Sequence, residues 1–238
     1  MYKRQDIYHT GSGDRWPLRL LNSDTTSGNM TGIYFGPCNN VAGAYISGKA
    51  EADFTSTANR DAGLEFGTRL DGNWKIPMAI SAAGYVTKPL QPKAWVLIAS
   101  NTTISNAKVT NWSSPGINVG SFWDTSNKRF VAPIAGVYMF GGNFRIGAPG
   151  SIRVVKFNLQ VYNTSNTIIA TYGSGVGGSL NSDSNSSGYD HPYVSFTNMI
   201  QLGAGEYVEL HMGEVATQHT SYIQVNNQQS GMWGYLLM

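Results

Sequence analysis

Short alternating segments separated by turns are the feature that most constrains how this chain can fold. The clearest lies at residues 152–162, where Arg153, Val155, Phe157, Leu159 and Val161 all fall on one side of an extended chain. Successive side chains of a strand point to opposite faces, so this set is the expected core face. No window carries the apolar spacing and capping residues of an amphipathic helix. We therefore predict an all-β, antiparallel fold, either a sandwich or a jelly roll.

Composition excludes several classes of protein. Charged residues make up 13% and aromatic residues 12% of the chain, whereas disordered chains are rich in charge and poor in aromatics. The net charge of +2 includes no run of Lys or Arg, so we expect no nucleic-acid partner. No apolar run reaches the roughly 18–20 residues of a membrane helix, so we expect no membrane insertion. The single cysteine, Cys38, excludes an intrachain disulfide.

Three regions are expected along the chain. Residues 6–89 hold short β-rich segments with few large apolar residues each, and residues 90–238 hold longer strands. A thin sheet of short strands is marginally stable in water, so we expect three copies of residues 6–89 to share one core. A monomeric, loop-rich β domain is the alternative. Pro89 and Pro92 mark the boundary, because proline stops a central strand or a helix.

Residues 1–5 are set apart from this fold prediction. Met1-Tyr2-Lys3-Arg4-Gln5 is the translation of GTG TAT AAG AGA CAG with GTG as a start codon, which looks like the end of a transposon adapter used in sequencing libraries. We interpret these five residues as an adapter-derived artefact and the chain as a fragment of a longer protein. A different sequence upstream of Asp6 in the parent gene would confirm this interpretation.

A spaced set of aromatic residues gives the chain its most specific pattern. The order is aromatic, amide, aromatic, Phe, and then Gly-x-Tyr-x-Phe, carried by Trp112, Asn118, Trp123, Phe130, Gly136, Tyr138 and Phe140. This pattern resembles the signature of the complement-q-like globular head, the jelly roll shared with the tumour necrosis factor family. Trp112 stands where that family usually has Phe. Gly142 stands where it has Phe or Tyr, and we expect Phe144 to fill the space.

The resemblance implies a homotrimer. Heads of this fold trimerise through the sheet that holds the Gly-x-Tyr-x-Phe strand and the last strand, here the strand of Trp233 and Tyr235. The alternation agrees, because Tyr138 and Phe140 point to one face while Val137 and Met139 point to the other. Both faces are apolar, so we expect the second sheet to cover one and a neighbouring subunit to cover the other.

The stretch before the head gives a second resemblance. Ile80, Gly84 and Val86 form an Ile-x-x-x-Gly-x-Val element, and a Pro-rich segment follows it. This arrangement resembles the region that precedes such heads in bacteriophage tail fibres. Animal heads of this fold usually follow a collagen stalk, and no Gly-x-y repeat occurs here. The resemblance implies a viral tail fibre with an upstream fibre segment.

No catalytic pattern was found, so we expect the protein not to be an enzyme. There is no phosphate-binding loop and no nucleophile elbow. Glu206 and Glu209 are expected on opposite faces of one strand, unlike the paired carboxylates of a glycosidase. We expect no cofactor and no catalytic metal. Some heads of this fold bind surface calcium, for which Asp183 and Asp190 are the candidate ligands here.

The function that these observations predict is host receptor recognition by the tip of a virion tail fibre, made in the host cytoplasm. The partner is a cell-surface glycan or protein. Residues 173–188 are either a flexible linker-like loop or a binding loop. The candidate binding residues at this loop and its exit are Asn181, Asp183, Tyr189, His191 and Tyr193. Two alternatives remain: a purely structural trimerisation and capping domain, and a bacterial surface protein with the same head.

Overall fold

A computed structural model describes residues 20–37, 41–103, 107–147, 152–177, 193–212, 216–217, 222–223 and 230–237. Within these ranges the chain is made of strands and a single short 3₁₀ turn at Thr57–Asn59. The prediction of an all-β fold with antiparallel sheets is confirmed. None of these residues belongs to a helix long and apolar enough to cross a membrane. Residues 1–5 and Cys38 lie outside the described ranges.

The chain divides into two compact units, residues 1–90 and 91–238. The described part of the first unit is an antiparallel meander whose strands are hydrogen-bonded in chain order: β1 (Met30–Phe35), β2 (Ala44–Ala50), β3 (Ala62–Leu70), β4 (Asn73–Ile80) and β5 (Val86–Thr87). A two-residue turn joins β3 to β4. Its central residues, Asp71 and Gly72, have φ of 50° and 77°. Asp-Gly is favoured in such turns because both residues must adopt positive φ.

One face of this first sheet is apolar. Register pairs place Ile33 beside Ile46, Ile46 beside Phe66, and Phe66 beside Met78. In the single chain Ile33 and Ile46 are exposed, and Phe66 and Met78 are half-buried. We call this row of four residues the apolar face of the first sheet.

The second unit contains the remaining strands. They are β6 (Lys93–Leu97), β7 (Thr102–Thr103), β8 (Ile117–Val119), β9 (Trp123–Asp124), β10 (Arg129–Val131), β11 (Gly136–Gly147), β12 (Ile152–Tyr162), β13 (Ile168–Gly177), β14 (Tyr193–Leu202), β15 (Tyr207–Met212), β16 (Ala216–Thr217), β17 (Tyr222–Ile223) and β18 (Gly231–Leu236). The front sheet has the order β8-β6-β18-β11-β14, and β17 and β7 extend it at the end of β11. The back sheet has the order β9-β10-β15-β12-β13, and β16 extends it along β12.

The strand pairs of the second unit are nested. The pairs are β6 with β18, β10 with β15, β11 with β14, and β12 with β13, all antiparallel. The chain therefore folds as one long hairpin that is doubled at the β12–β13 turn and then rolled into two layers. This nesting is the topology of a jelly roll, as the sequence predicted.

The core lies between the two sheets. On β12 the predicted core face is confirmed for Val155, Phe157, Leu159 and Val161, which are all at most 1% exposed. Other large, fully buried side chains come from both sheets and the loops, among them Phe122, Phe130, Tyr138, Phe140, Phe144, Ile200, Leu202 and Met232. Each such side chain contributes roughly 1.5–3 kcal/mol when it leaves water. This core holds the front sheet in place.

Two boundaries differ from the sequence prediction. β13 runs to Gly177, so the predicted loop at residues 173–188 begins inside a strand. Backbone pairing with β12 needs no side-chain signal, which is why Gly- and Ser-rich residues extend the strand. Glu206 lies in the turn before β15 instead of on the strand with Glu209, and its carboxylate accepts a hydrogen bond from the Gly203 backbone N–H at 2.7 Å.

Candidate interaction face

The predicted receptor-binding residues fall mostly in the undescribed part of the chain. Asn181, Asp183, Tyr189 and His191 lie outside the described residues, as does the calcium candidate Asp190. Tyr193 is described and begins β14, where it is exposed and pairs with Arg145 across the strands. The role of these five residues stays a prediction.

The aromatic signature residues pack together in and around the core. Trp112 is buried, its indole N–H donates to the Val109 carbonyl at 2.8 Å, and its ring meets that of Trp123 edge-on at 5.6 Å. The rings of Trp123 and Phe130 are 4.8 Å apart. These ring contacts lie where the chain passes from β8 in the front sheet to β9 in the back sheet.

Asn118 of the signature fixes a turn. Its side-chain N–H donates to the Trp123 carbonyl at 3.0 Å, and its side-chain oxygen accepts from the Trp123 backbone N–H at 2.8 Å. The amide side chain supplies both a donor and an acceptor for this pairing. Asn118 therefore locks the passage from the front sheet at β8 to the back sheet at β9.

The strand that follows Gly136 explains why Gly142 departs from the family pattern. Tyr138 and Phe140 are fully buried, and the Tyr138 hydroxyl donates to the Ile134 carbonyl at 2.7 Å. A Cβ at Gly142 would lie 2.8 Å from atoms of both the Phe144 and Phe196 rings. The Phe144 ring thus occupies the space beside Gly142, as the sequence predicted.

The other side of the front sheet is an open apolar face. One cross-strand row contains Ile117, Trp95, Trp233, Gly141 and Thr197. A second row contains Val119, Lys93, Tyr235, Met139 and Met199. In the single chain Trp95 is 39%, Tyr235 37% and Met199 65% exposed. We call the apolar members of these two rows the open face.

Local packing holds the aromatic rings of the open face flat. Trp233 lies across Gly141 on the neighbouring strand, where any side chain would collide with the indole. The rings of Trp233 and Tyr235 are stacked with centroids 5.6 Å apart. The Tyr235 hydroxyl donates to the Met139 sulfur at 3.2 Å. The result is a flat, preformed aromatic surface, which is the type of surface that protein interfaces use.

The polar cluster on the outside of the back sheet is a structural crosslink. Glu209 is buried, and its two carboxylate oxygens are bound by the Lys108 ammonium and, at 3.1 Å, by the His211 ring. Lys108 also donates to the Asn127 carbonyl at 2.6 Å. The cluster therefore ties residues 107–109 to β15 and to the β9–β10 turn, with one partner on each carboxylate oxygen of Glu209.

The pKa of Glu209 reflects these contacts. Burial raises the pKa of a carboxyl because it disfavours the charged form. The hydrogen bonds from His211 and Lys108 outweigh this effect, so the pKa of Glu209 is lowered from its ordinary value of 4.5. Next to this group, the rings of Tyr162 and Tyr207 stack at 4.8 Å, and the Arg129 guanidinium lies 4.0 Å from the centre of the Tyr207 ring.

Among the described residues, no set of three His, Cys, Asp or Glu side chains is close enough to hold a metal ion. The absence of a cofactor stays a prediction, because the candidate calcium ligands Asp183 and Asp190 lie outside the described residues.

No protein-family model and no curated protein matches this sequence. Solved structures do match, over 62% of this chain in each case. They include the Eiger TNF of S. frugiperda, with 11% identity, a TM-score of 0.47 and 93% of that chain covered. The globular domain of zebrafish complement 1qA protein has 13% identity, a TM-score of 0.41 and 98% coverage. Murine APRIL has 8% identity, a TM-score of 0.43 and 99% coverage. The fold assignment rests on the strand pairing described above.

Proposed function

We propose that this chain is the receptor-facing end of a trimeric bacteriophage tail fibre. Three jelly-roll units would associate through their open faces, and the assembled knob would contact a glycan or protein on the host surface. The protein would be made in the host cytoplasm and would join an upstream fibre segment in the virion. The observation that carries the proposal is the open face, where Trp95, Tyr235 and Met199 are exposed and Trp233 is half-buried in a single chain.

Two further observations support a trimeric fibre. The apolar face of the first sheet also leaves Ile33 and Ile46 exposed. A sheet with one uncovered apolar face is unstable alone and gains stability by burying that face against other copies. The Ile80, Gly84 and Val86 element, with its Pro-rich continuation, favours a fibre over a collagen-stalked head. Three linked sites would also raise the avidity for a host surface by about 10²–10⁴.

The first experiment is the solution mass of the full chain by light scattering. We expect three times the chain mass of 25.8 kDa. Met199→Glu would place a charge on the open face, where assembly would remove its hydration. This variant should sediment as a folded monomer. Ile169→Glu is the matched control, since Ile169 is exposed on the back sheet. A monomeric wild-type protein, or a trimeric Met199→Glu variant, would contradict assembly of three chains through the open face.

A second experiment separates receptor recognition from a purely structural capping role. Tyr193 is exposed at the start of β14 and offers a flat ring to a ligand. Tyr193→Ala should reduce adsorption of virions while leaving the trimer intact. Unchanged adsorption after substitution of all five candidate residues, Asn181, Asp183, Tyr189, His191 and Tyr193, would favour the capping role. Flanking genes for cell-wall or spore proteins, in place of tail genes, would favour the bacterial alternative.

A further inference from the structure

A second aromatic cluster lies on the first sheet, on the side away from its apolar face. Tyr34, Tyr45 and Trp74 come from β1, β2 and β4, and their ring centroids are 5.8, 5.0 and 6.2 Å apart. Tyr45 lies over Gly67, its register partner on β3, because glycine leaves room for the ring. Tyr45 is buried at 7% exposure, whereas Tyr34 is 59% and Trp74 39% exposed. The cluster is therefore a rigid platform with two exposed rings.

A guanidinium is fixed beside this platform. The Arg69 guanidinium carbon lies 5.3 Å from the centre of the Trp74 ring. The Arg69 Nε–H donates to the Gly72 carbonyl at 3.0 Å, and an Nη1–H donates to the Ala42 carbonyl at 3.2 Å. These bonds use two of the five N–H groups of a guanidinium. Among the described residues Arg69 makes no ion pair, so its charge is held in place and available to an anion.

We propose that Tyr34, Trp74 and Arg69 form a binding site for an acidic saccharide. The exposed rings supply apolar faces against which the C–H face of a sugar can stack. The Arg69 guanidinium supplies the planar donor set that matches a carboxylate. A sugar acid such as a uronic acid combines both groups, a C–H face and a carboxylate, within one ring.

The size of the platform favours a saccharide over a protein partner. A stable protein interface buries about 800 Å² on each side. The exposed apolar part of this platform consists of two ring side chains, which suffices for one or two sugar rings. The charge of Arg69 should favour acidic over neutral saccharides, because a hydrogen bond from a guanidinium to a carboxylate is stronger than one to a neutral hydroxyl group.

This inference rests on the proposed function in one respect. In a trimer that buries the apolar face of the first sheet, the opposite face with Tyr34 and Trp74 would point outward in all three copies. The platform would then be a receptor site of the fibre, separate from the predicted loop site at residues 173–188. Weak binding at each copy would be strengthened by the three-fold repetition.

The test is a calorimetric titration of the full chain with two hexasaccharides. One alternates glucuronic acid with N-acetylglucosamine, and the other contains N-acetylglucosamine alone. We expect the acidic hexasaccharide to bind more tightly and its affinity to fall with added salt. Tyr34→Ala should weaken binding by about tenfold, the range of a central aromatic contact. Arg69→Gln should remove the preference for the acidic sugar. Tyr85→Ala is the matched control, since Tyr85 is 73% exposed and lies outside the cluster.

The solution mass of each protein separates this inference from the proposed function. A trimer that binds neither hexasaccharide, or binds both equally, would overturn the inference and leave the proposed function standing. Binding that Tyr34→Ala does not alter, or that salt does not weaken, would overturn it as well. A monomer that binds the acidic sugar through Tyr34 would support the inference and contradict the trimeric fibre.

Discussion

Glu209 is a buried charged side chain of the back sheet. Its carboxylate is bound by Lys108, on the connection between β7 and β8, and by His211, on its own strand. A buried carboxylate is stable only when such partners offset the loss of hydration. The ionised carboxylate therefore adds to the backbone hydrogen bonds that join Ala107 to Met212 and Val109 to Leu210.

The stability of the protein should fall in acid because of Glu209. The pKa of Glu209 is lower in the folded chain than its ordinary value of 4.5. The unfolded chain therefore binds this proton more readily, and the stability from Glu209 is complete above pH 4.5 and is lost as the pH falls through the lowered pKa. Glu209→Gln should cost about 1–3 kcal/mol near pH 7 through weakened hydrogen bonds. Below pH 4.5 the difference from the wild type should shrink.

Urea unfolding at a series of pH values between 3 and 7 measures this effect. Asp71→Asn serves as the control, because Asp71 lies in an exposed turn and makes no ion pair among the described residues. The control should follow the wild-type profile. A constant difference in stability between Glu209→Gln and the wild type at every pH would show that the ionisation of Glu209 does not cause the loss of stability in acid.

At the scale of a strand, β11 shows how a glycine sets the packing of its neighbours. The strand pairs with β18 on one side and β14 on the other. Gly141 makes room for Trp233 on the open face, and Gly142 makes room for the Phe144 and Phe196 rings in the core. Adjacent glycines with opposite orientations therefore admit large rings to both faces of the same strand.

Gly142→Ala should destabilise the protein by overpacking. The new Cβ would lie 2.8 Å from the Phe144 and Phe196 rings, which are both confined by the core. We expect a loss of about 1–3 kcal/mol in the free energy of unfolding. Gly173→Ala is the matched strand control, since no atom lies within 4 Å of its added Cβ. Denaturant midpoints measure both variants, and equal midpoints would show that the core yields at Gly142.

The alternation of apolar residues predicted which side chains of a strand face the core. It did not predict which other strands and residues they meet in the fold. It gave the core face of β12 and the burial of Tyr138 and Phe140, because a period of two is a property of the strand itself. It missed the continuation of β13 through Gly173 to Gly177, where backbone pairing replaces side-chain signal. It also missed the approach of Lys108 to Glu209, because those residues are far apart in sequence and meet only through the fold.

At the scale of the whole molecule, uncovered apolar surfaces occur in both units. The open face of the second unit and the apolar face of the first sheet each consist of cross-strand rows. The sequence predicted that β11 would need a cover on both sides, since Val137 and Met139 are apolar as well as Tyr138 and Phe140. It could not predict the flat stacking of Trp233 and Tyr235, which depends on the missing side chain of Gly141.

Assembly through these surfaces predicts that thermal stability depends on concentration. A protein that is stabilised by association unfolds at a higher temperature when its concentration is raised. We expect the midpoint of the full chain to rise over a hundredfold range of concentration, measured by differential scanning calorimetry. The midpoint of Met199→Glu should stay constant over the same range. A constant wild-type midpoint would indicate that the open face remains uncovered in solution.

The nested strand pairs also dictate when assembly can begin during synthesis. β12 and β13 are adjacent in the chain and can pair early, whereas β6 must wait for β18, which is more than a hundred residues later. Contacts between such distant residues form slowly. β18 also supplies Trp233 and Tyr235 to the open face. A nascent chain therefore cannot present a finished surface to its neighbours before residues 231–236 have emerged from the ribosome and docked.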